Sequence, residues 1–148
     1  MTEKEFRDLY PFVIEDNVEW DDMDAFQHVN NKVYFRYFEK IRILYFEDNK
    51  LLDLVKEKQL GPILASTQCR FKFPLTYPDN ILIGTSISDL HEDRFLMNYA
   101  VYSLGHQKMA AVGDGLIVCY DYAKGEKAVL PEEIHSVLAT QAVSNAGK

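Results

Sequence analysis

The chain of 148 residues carries only two cysteines, Cys69 and Cys119, and neither belongs to a C-x-x-C pair or to a His/Cys grouping of metal-ligand spacing. Each sits in an apolar, strand-like run, so both read as buried free thiols rather than as a disulfide. No run approaches the roughly 18 apolar residues of a membrane span. The opening MTEKEFRDLY has no apolar core of signal-peptide length, and the expectation is a reducing, cytoplasmic setting. Basic residues are also scarce: 16 Lys and Arg against 23 Asp and Glu leave a net charge of −7. Phosphate neutralisation needs a basic face that this balance does not supply, which argues against nucleic acid or an anionic membrane as a partner. A G-x-S-x-G nucleophile turn, a Gly-rich phosphate loop ahead of a helix, repeats and Pro- or Ser-rich linkers are all missing. What is present, 47% hydrophobic and 13% aromatic residues, suffices for one domain, residues 1–148, with a real core.

The first half has helical spacing. Phe12 to Trp20 favours an extended strand that runs into the acidic turn DDMDAFQHVNN. Asn30 or Asn31 can then cap a helix of about 17 residues. On a 3.6-residue wheel Val33, Tyr34, Tyr37, Phe38, Ile41, Leu44 and Tyr45 share one arc, with Arg36, Lys40 and Glu47 opposite. So apolar a helix requires a sheet to cover it. LLDLVKEKQLG reads as a shorter helix ended by Gly61 and Pro62.

The second half alternates. In ASTQCRFKF the residues Ala65, Thr67, Cys69, Phe71 and Phe73 point one way, and Ser66, Gln68, Arg70 and Lys72 the other, as in a strand with one buried face. ILIGTSISDL, with Ile81, Ile83 and Ile87 inward, FLMNYAVYS, and a last strand from about Gln107 to Tyr122 follow as tight hairpins. Gly113 and Gly115 predict a bulge or a close backbone approach in that last strand. Pro131 starts a short C-terminal helix, and the tail, about 140–148, reads as frayed. The fold class is α+β, an antiparallel sheet wrapped around one long helix.

Four carboxylates, Glu19, Asp21, Asp22 and Asp24, crowd the approach to that helix, interleaved with Trp20, Met23 and Phe26. A solvated turn has no need of that interleaving, so at least one acid is expected in a partly apolar cleft. A calcium loop is the first alternative, but DDMDAFQHV lacks the Gly at the sixth position and the Glu at the twelfth. What remains is a carboxylate beside a helix N-terminus, whose unpaired N–H groups and dipole can stabilise an oxyanion. Acids before helix starts also occur as plain dipole complements.

The full string VEWDDMDAFQHVNNKVYFRYFEKIRILYFE closely resembles the signature of the 4-hydroxybenzoyl-CoA thioesterase-like family of hotdog-fold acyl-CoA thioesterases, whose W/F-x-D-x-D-x-x-x-H-V-N-N loop precedes the central helix. RFKFPLTYPDNILIGTSISDL and GDGLIVCYDYAKGEKAVLPEEI are similar to later strands of that family, so the resemblance covers about residues 8–136. It implies that Asp24 is the catalytic carboxylate, acting as nucleophile or general base. It also implies that backbone N–H groups at Asn31 and Lys32 polarise the thioester carbonyl, and that subunits pair as a homodimer or homotetramer. Asp22 reads as a loop hydrogen-bond acceptor. His28 either orients the loop or touches the thioester, and Asn30 caps the helix and borders the substrate. Tyr34 belongs to the core first and to the acyl pocket second. Arg70, Lys72 and Arg94 are the candidates for the coenzyme A phosphates, although the hairpin that is basic in some relatives is HEDR here.

The implied activity is hydrolysis of an acyl-CoA thioester with neither metal nor redox cofactor. An acyl-carrier-protein thioesterase is the nearest variant, disfavoured by the acidity of the chain toward an acidic carrier. A hydratase would call for D-x-N-P-x-H, which DAFQH does not supply. A non-catalytic acyl-CoA binding protein is the third class, and Asp24 beside an intact helix start argues against it.

Overall fold

The computed structural model describes residues 1–143. Its elements run α1 (Glu3–Leu9), β1 (Phe12–Asn17), a 3-10 turn (Trp20–Asp22), α2 (Asn31–Asp48), α3 (Leu51–Lys58), β2 (Leu60–Phe71), β3 (Asn80–Ser88), β4 (Arg94–Ser103), β5 (Lys108–Asp121), β6 (Glu126–Lys127) and α4 (Glu132–Gln141). The sheet is antiparallel in the order β1-β3-β4-β5-β2, with β6 on the end of β5. No helix among the described residues is long and apolar enough to cross a membrane.

The long helix forms where its periodicity places it. Asn30 is the cap, its side-chain oxygen accepting the Lys32 amide at 3.0 Å, and no Gly or Pro interrupts α2. Val33, Tyr34, Tyr37, Phe38, Ile41, Tyr45 and Phe46 are buried against the inner sheet face of Ile81, Ile83, Met97, Tyr99, Val101 and Ile117. Phe38 stacks on Tyr99 with ring centroids 4.8 Å apart. Each such side chain, fully buried, contributes about 1.5–3 kcal/mol. The helix lies so close to β5 that a Cβ on Gly113 would come within 2.6 Å of the Phe38 ring and within 2.3 Å of the Gln68 carbonyl. Of the two roles expected of this glycine, close approach is the one observed. The irregularity in β5 falls instead at Ala110, between the pairs Val101↔Ala111 and Tyr102↔Met109.

Several expectations need correction. α1 carries no apolar periodicity, yet a capping box between Thr2 and Glu5 starts it, and its Phe6 is fully buried on the outer sheet face against Leu82, Ala100 and Tyr102. With α1 outside and α2 inside, β3 is buried on both faces rather than one. Helix α3 ends at Gln59, in the left-handed region at φ 56°, while Gly61 and Pro62 lie within β2 opposite Tyr120 and Cys119. Pro62 is tolerated because β2 is an edge strand.

Strand β2 departs furthest from its pattern. It starts five residues earlier than expected, and Ala65 is an extra residue between the pairs Leu64↔Ile117 and Ser66↔Leu116. Leu64 to Gln68 are exposed on both faces, and Phe71 is 44% exposed. Alternation marks two chemically different faces, but burial needs something to cover one of them. Nor do β2 and β3 form a hairpin, since they lie on opposite sides of the β4–β5 pair. At the C-terminus Gln141 donates to Asn49 at 2.8 Å and Val143 to the Ile87 carbonyl at 2.8 Å, so residues 140–143 are docked. The rest of the tail expected to fray, 144–148, lies outside the described residues.

Candidate active site

The acidic segment folds as a small closed loop. Met23 bridges Val29, the Asp24 amide donates to the His28 carbonyl at 3.0 Å, and the Gln27 amide returns to the Asp24 carbonyl at 2.9 Å. Gln27 takes a positive φ of 63°, which turns the chain back toward α2. The Asn30 amide donates to the Asp22 carbonyl at 3.0 Å and the Val29 amide to Leu75 at 2.9 Å, tying the loop to the crossing between β2 and β3.

Its carboxylates have different surroundings. Asp21 is exposed, whereas Asp22 is 4% exposed and fully engaged. One oxygen of Asp22 accepts Arg36 Nη2 at 2.5 Å, and the other accepts the Glu19 amide at 2.9 Å and the Tyr37 hydroxyl at 3.4 Å. The bond that Arg36 donates to Asp22 is the first cause of an upward shift of the Arg36 pKa. Burial, reinforced by the Asp22 charge, pushes the Tyr37 pKa up, so its hydroxyl stays protonated and can donate. Asp22 therefore does more than accept within its own turn: it joins the loop to α2. The buried acid of the interleaved turn is this one.

Asp24 is half-buried. Its Oδ1 accepts the Phe26 amide at 2.9 Å, while Oδ2 has no partner among the described residues. The carboxylate lines an open cleft of about 490 Å³ together with His28, Asn31, Tyr34, Phe71 and Phe73, with Phe26 on the rim at 82% exposure. At the helix start the Lys32 amide is already taken by the cap. The Asn31 amide is the open one, with no acceptor among the described residues. The cleft thus presents a carboxylate oxygen and a backbone N–H at the positive end of a helix of 18 residues. Phe26, Tyr34, Phe71 and Phe73 supply the aromatic lining around the pair.

The remaining candidates divide between this cleft and other places. Exposed His28 and half-buried Asn30 border the cleft. Tyr34 turns its ring into the wall, 5.2 Å from the Phe71 ring, while its hydroxyl accepts the Leu75 amide at 3.3 Å and burial raises its pKa. Arg70 and Lys72 are exposed and carry no ion pair among the described residues; Lys72 adjoins Phe73 in the wall. Arg94 is elsewhere: it is bound by two bonds of 2.9 Å to Asp93 and sits seven residues along β4 from Val101, the level of Phe71. That is about 23 Å at strand rise. Cys69 and Cys119 are free, and burial raises both thiols, that of Cys69 to about 11.

Two groups beside the site escape a reading of the sequence. Lys108 Nζ lies 5.1 Å from the Phe73 ring centroid, and the His106 ring is 5.0 Å from it on the β4–β5 hairpin. Only the topology brings them to the cleft, and nothing local in GHQK signals it. Arg36 reads as a solvent-facing helix residue, and its partner is 14 positions earlier in the chain.

Comparison with known proteins accords with this geometry. The sequence model of the thioesterase-like superfamily matches residues 18–138. An uncharacterized Bacillus subtilis protein, YsmA, is 35% identical over 68 residues, covering 46% of this chain and 45% of that protein. Among solved structures, a Pseudomonas aeruginosa protein superposes with a TM-score of 0.81 at 22% identity, covering 93% of this chain and 96% of its own. The 1,4-dihydroxy-2-naphthoyl-CoA thioesterase of Synechocystis gives 0.77 at 18%, covering 86% and 95%. With the loop, the central helix and the wrapped sheet all present, the chain belongs to the thioesterase-like superfamily and has its hotdog fold.

Proposed function

We propose that this protein hydrolyses an acyl-coenzyme A thioester, RCO–SCoA plus water giving a carboxylate, the free thiol of coenzyme A and a proton. The observation that carries this reading is the shared cleft of Asp24, with one oxygen uncommitted, and the open Asn31 amide at the start of α2. The thioester carbonyl oxygen points at Asn31, where the N–H and the helix dipole favour the negative charge that develops on it. Asp24 either takes a proton from the attacking water or attacks the carbonyl itself to form an anhydride that water then cleaves. The leaving thiolate takes up a proton. The reaction is redox-neutral and needs no cofactor beyond water.

Coenzyme A is favoured over an acyl carrier protein because an acidic carrier needs a broad basic face that a chain of net charge −7 is poorly placed to offer, whereas the phosphates of coenzyme A need only a local pair of cations. Lys72 and Lys108, one beside Phe73 in the chain and the other 5.1 Å from its ring, are exposed cations next to the cleft wall and suit the phosphates. A homodimer formed through the exposed edge strand β2, where Leu64 and Phe71 stand out, accounts for the missing cover on that strand.

The test is a screen of short, medium, long and aromatic acyl-CoAs with thiol release recorded. The aromatic arm is prompted by the name of the Synechocystis neighbour. Turnover of one class supports the reading. Saturable binding without thiol release from any of them replaces it with a non-catalytic acyl-CoA protein.

A further inference from the structure

We infer that the Asp22–Arg36 pair is a positioning clamp, which holds the Asp24 carboxylate in register with the α2 N-terminus from a point one and a half turns into the helix. The inference rests on the proposed role of Asp24 and adds a function for two residues that do not line the Asp24 cleft. Asp22 is the most deeply buried acid of the segment, and three donors converge on it: Arg36 Nη2 at 2.5 Å, the Glu19 amide at 2.9 Å and the Tyr37 hydroxyl at 3.4 Å. Burial of a polar side chain is costly unless it is hydrogen-bonded, and two of the three donors, Arg36 and Tyr37, belong to α2, so the helix sets the position of Asp22.

Asp22 then transmits that position in two directions. Forward along the chain, Met23 is bridged to Val29 and Asp24 follows, its carboxylate already oriented by the Phe26 amide. Across the loop, the Asp22 carbonyl accepts the Asn30 amide at 3.0 Å, and Asn30 is the cap that orients the first turn of α2. One residue therefore fixes both the strand that bears the acid and the residue that sets the oxyanion donor. Relative placement of these two groups is what rate depends on: a misplacement of about 1 Å can cost about 10²-fold. Arg36 supplies the hold from outside, over half exposed on the helix while the carboxylate it grips is inside.

The experiment uses Arg36→Met, which keeps length and removes the charge, with Arg36→Lys as the conservative variant, each alone and combined with Asp24→Asn. Unfolding temperatures are recorded for all. The clamp predicts that Arg36→Met lowers kcat by about 10²-fold with KM little changed, that Arg36→Lys recovers most of the rate, and that Arg36→Met costs nothing further once Asp24 is Asn. An equal fold-loss in both backgrounds, or a loss confined to KM, overturns it. A second readout is independent of turnover: hydrogen exchange at the Asp24, Phe26, Gln27 and Asn30 amides, all of which close the loop. These should exchange faster in folded Arg36→Met while the centre of α2 keeps its protection, and unchanged exchange at all four overturns the clamp even if no acyl-CoA is hydrolysed. Absence of hydrolysis by the parent protein, with faster loop exchange in the variant, overturns the proposed activity and leaves the clamp standing.

Discussion

The side-chain oxygen of Asn30 takes the Lys32 amide at 3.0 Å, and this leaves the Asn31 amide between them as the unoccupied donor at the mouth of the cleft. A capping bond that looks purely structural thus selects which N–H can meet a substrate. Replacing Asn30 with Ala should lower stability by about 1 kcal/mol. It should also lower kcat, because the first turn loses its fixed direction. Denaturant unfolding and thiol-release kinetics on the same sample check both; an unchanged kcat with the full stability loss would separate capping from catalysis.

Gly113 is where the helix and the sheet leave least room. A methyl group there meets the Gln68 carbonyl and the Phe38 ring at distances no real contact shows, so Gly113→Ala should destabilise by about 1–3 kcal/mol. Thermal unfolding reads the effect. A variant as stable as the parent would mean that α2 can lift from β5 at no cost.

The phosphate contacts are tested by charge. Lys72→Gln and Lys108→Gln should each raise KM for an acyl-CoA with kcat nearly unchanged, and the rise should shrink as salt screens the pair over a Debye length of about 10 Å at 0.1 M. Arg94→Gln should leave KM unaltered within one chain's site, given its distance and its bond to Asp93. A KM effect of Arg94 equal to that of Lys108 would show that the phosphates reach a site composed across subunits.

Cys69 gives a pH-dependent signature. Burial disfavours the thiolate and moves its pKa from the ordinary 9.0 to about 11. The folded state therefore favours the protonated thiol, a preference fully present below pH 9 and lost as pH rises through about 11. Alkylation of Cys69, followed by peptide mass spectrometry, should stay well below the rate of a free thiol at pH 8 and climb only as pH nears 11. Reaction at the free-thiol rate at pH 8 would contradict the burial argument.

Much of this was legible in the residues themselves. The face of α2 was readable because burial of a central helix follows from its own periodicity, and Val33, Tyr37 and Ile41 lie inside as their spacing requires. The alternation of β2 was equally clear and misled, because an edge strand's inner face is buried only if another element covers it. The loop was readable as chemistry through its resemblance to a family signature, but not the division of labour within it. Asp22 and Asp24 differ by their contacts, and the decisive one, to Arg36, spans 14 positions and depends on how the loop folds back on the helix. Lys108 was invisible for the same reason, since its neighbour Phe73 is brought to it by the β2–β5 pairing.

The central claim is that Asp24 performs the chemistry, and the most direct measurement is the turnover of Asp24→Asn on the best acyl-CoA substrate, with unfolding temperature measured alongside. The amide keeps the shape and the bond from the Phe26 amide to the side-chain oxygen while removing the charge. The account predicts a fall in kcat of about 10²–10⁴-fold in a protein that unfolds at nearly the parent temperature. Near-parental turnover in a folded Asp24→Asn protein would contradict it and leave the acidic loop as no more than a complement to the helix dipole.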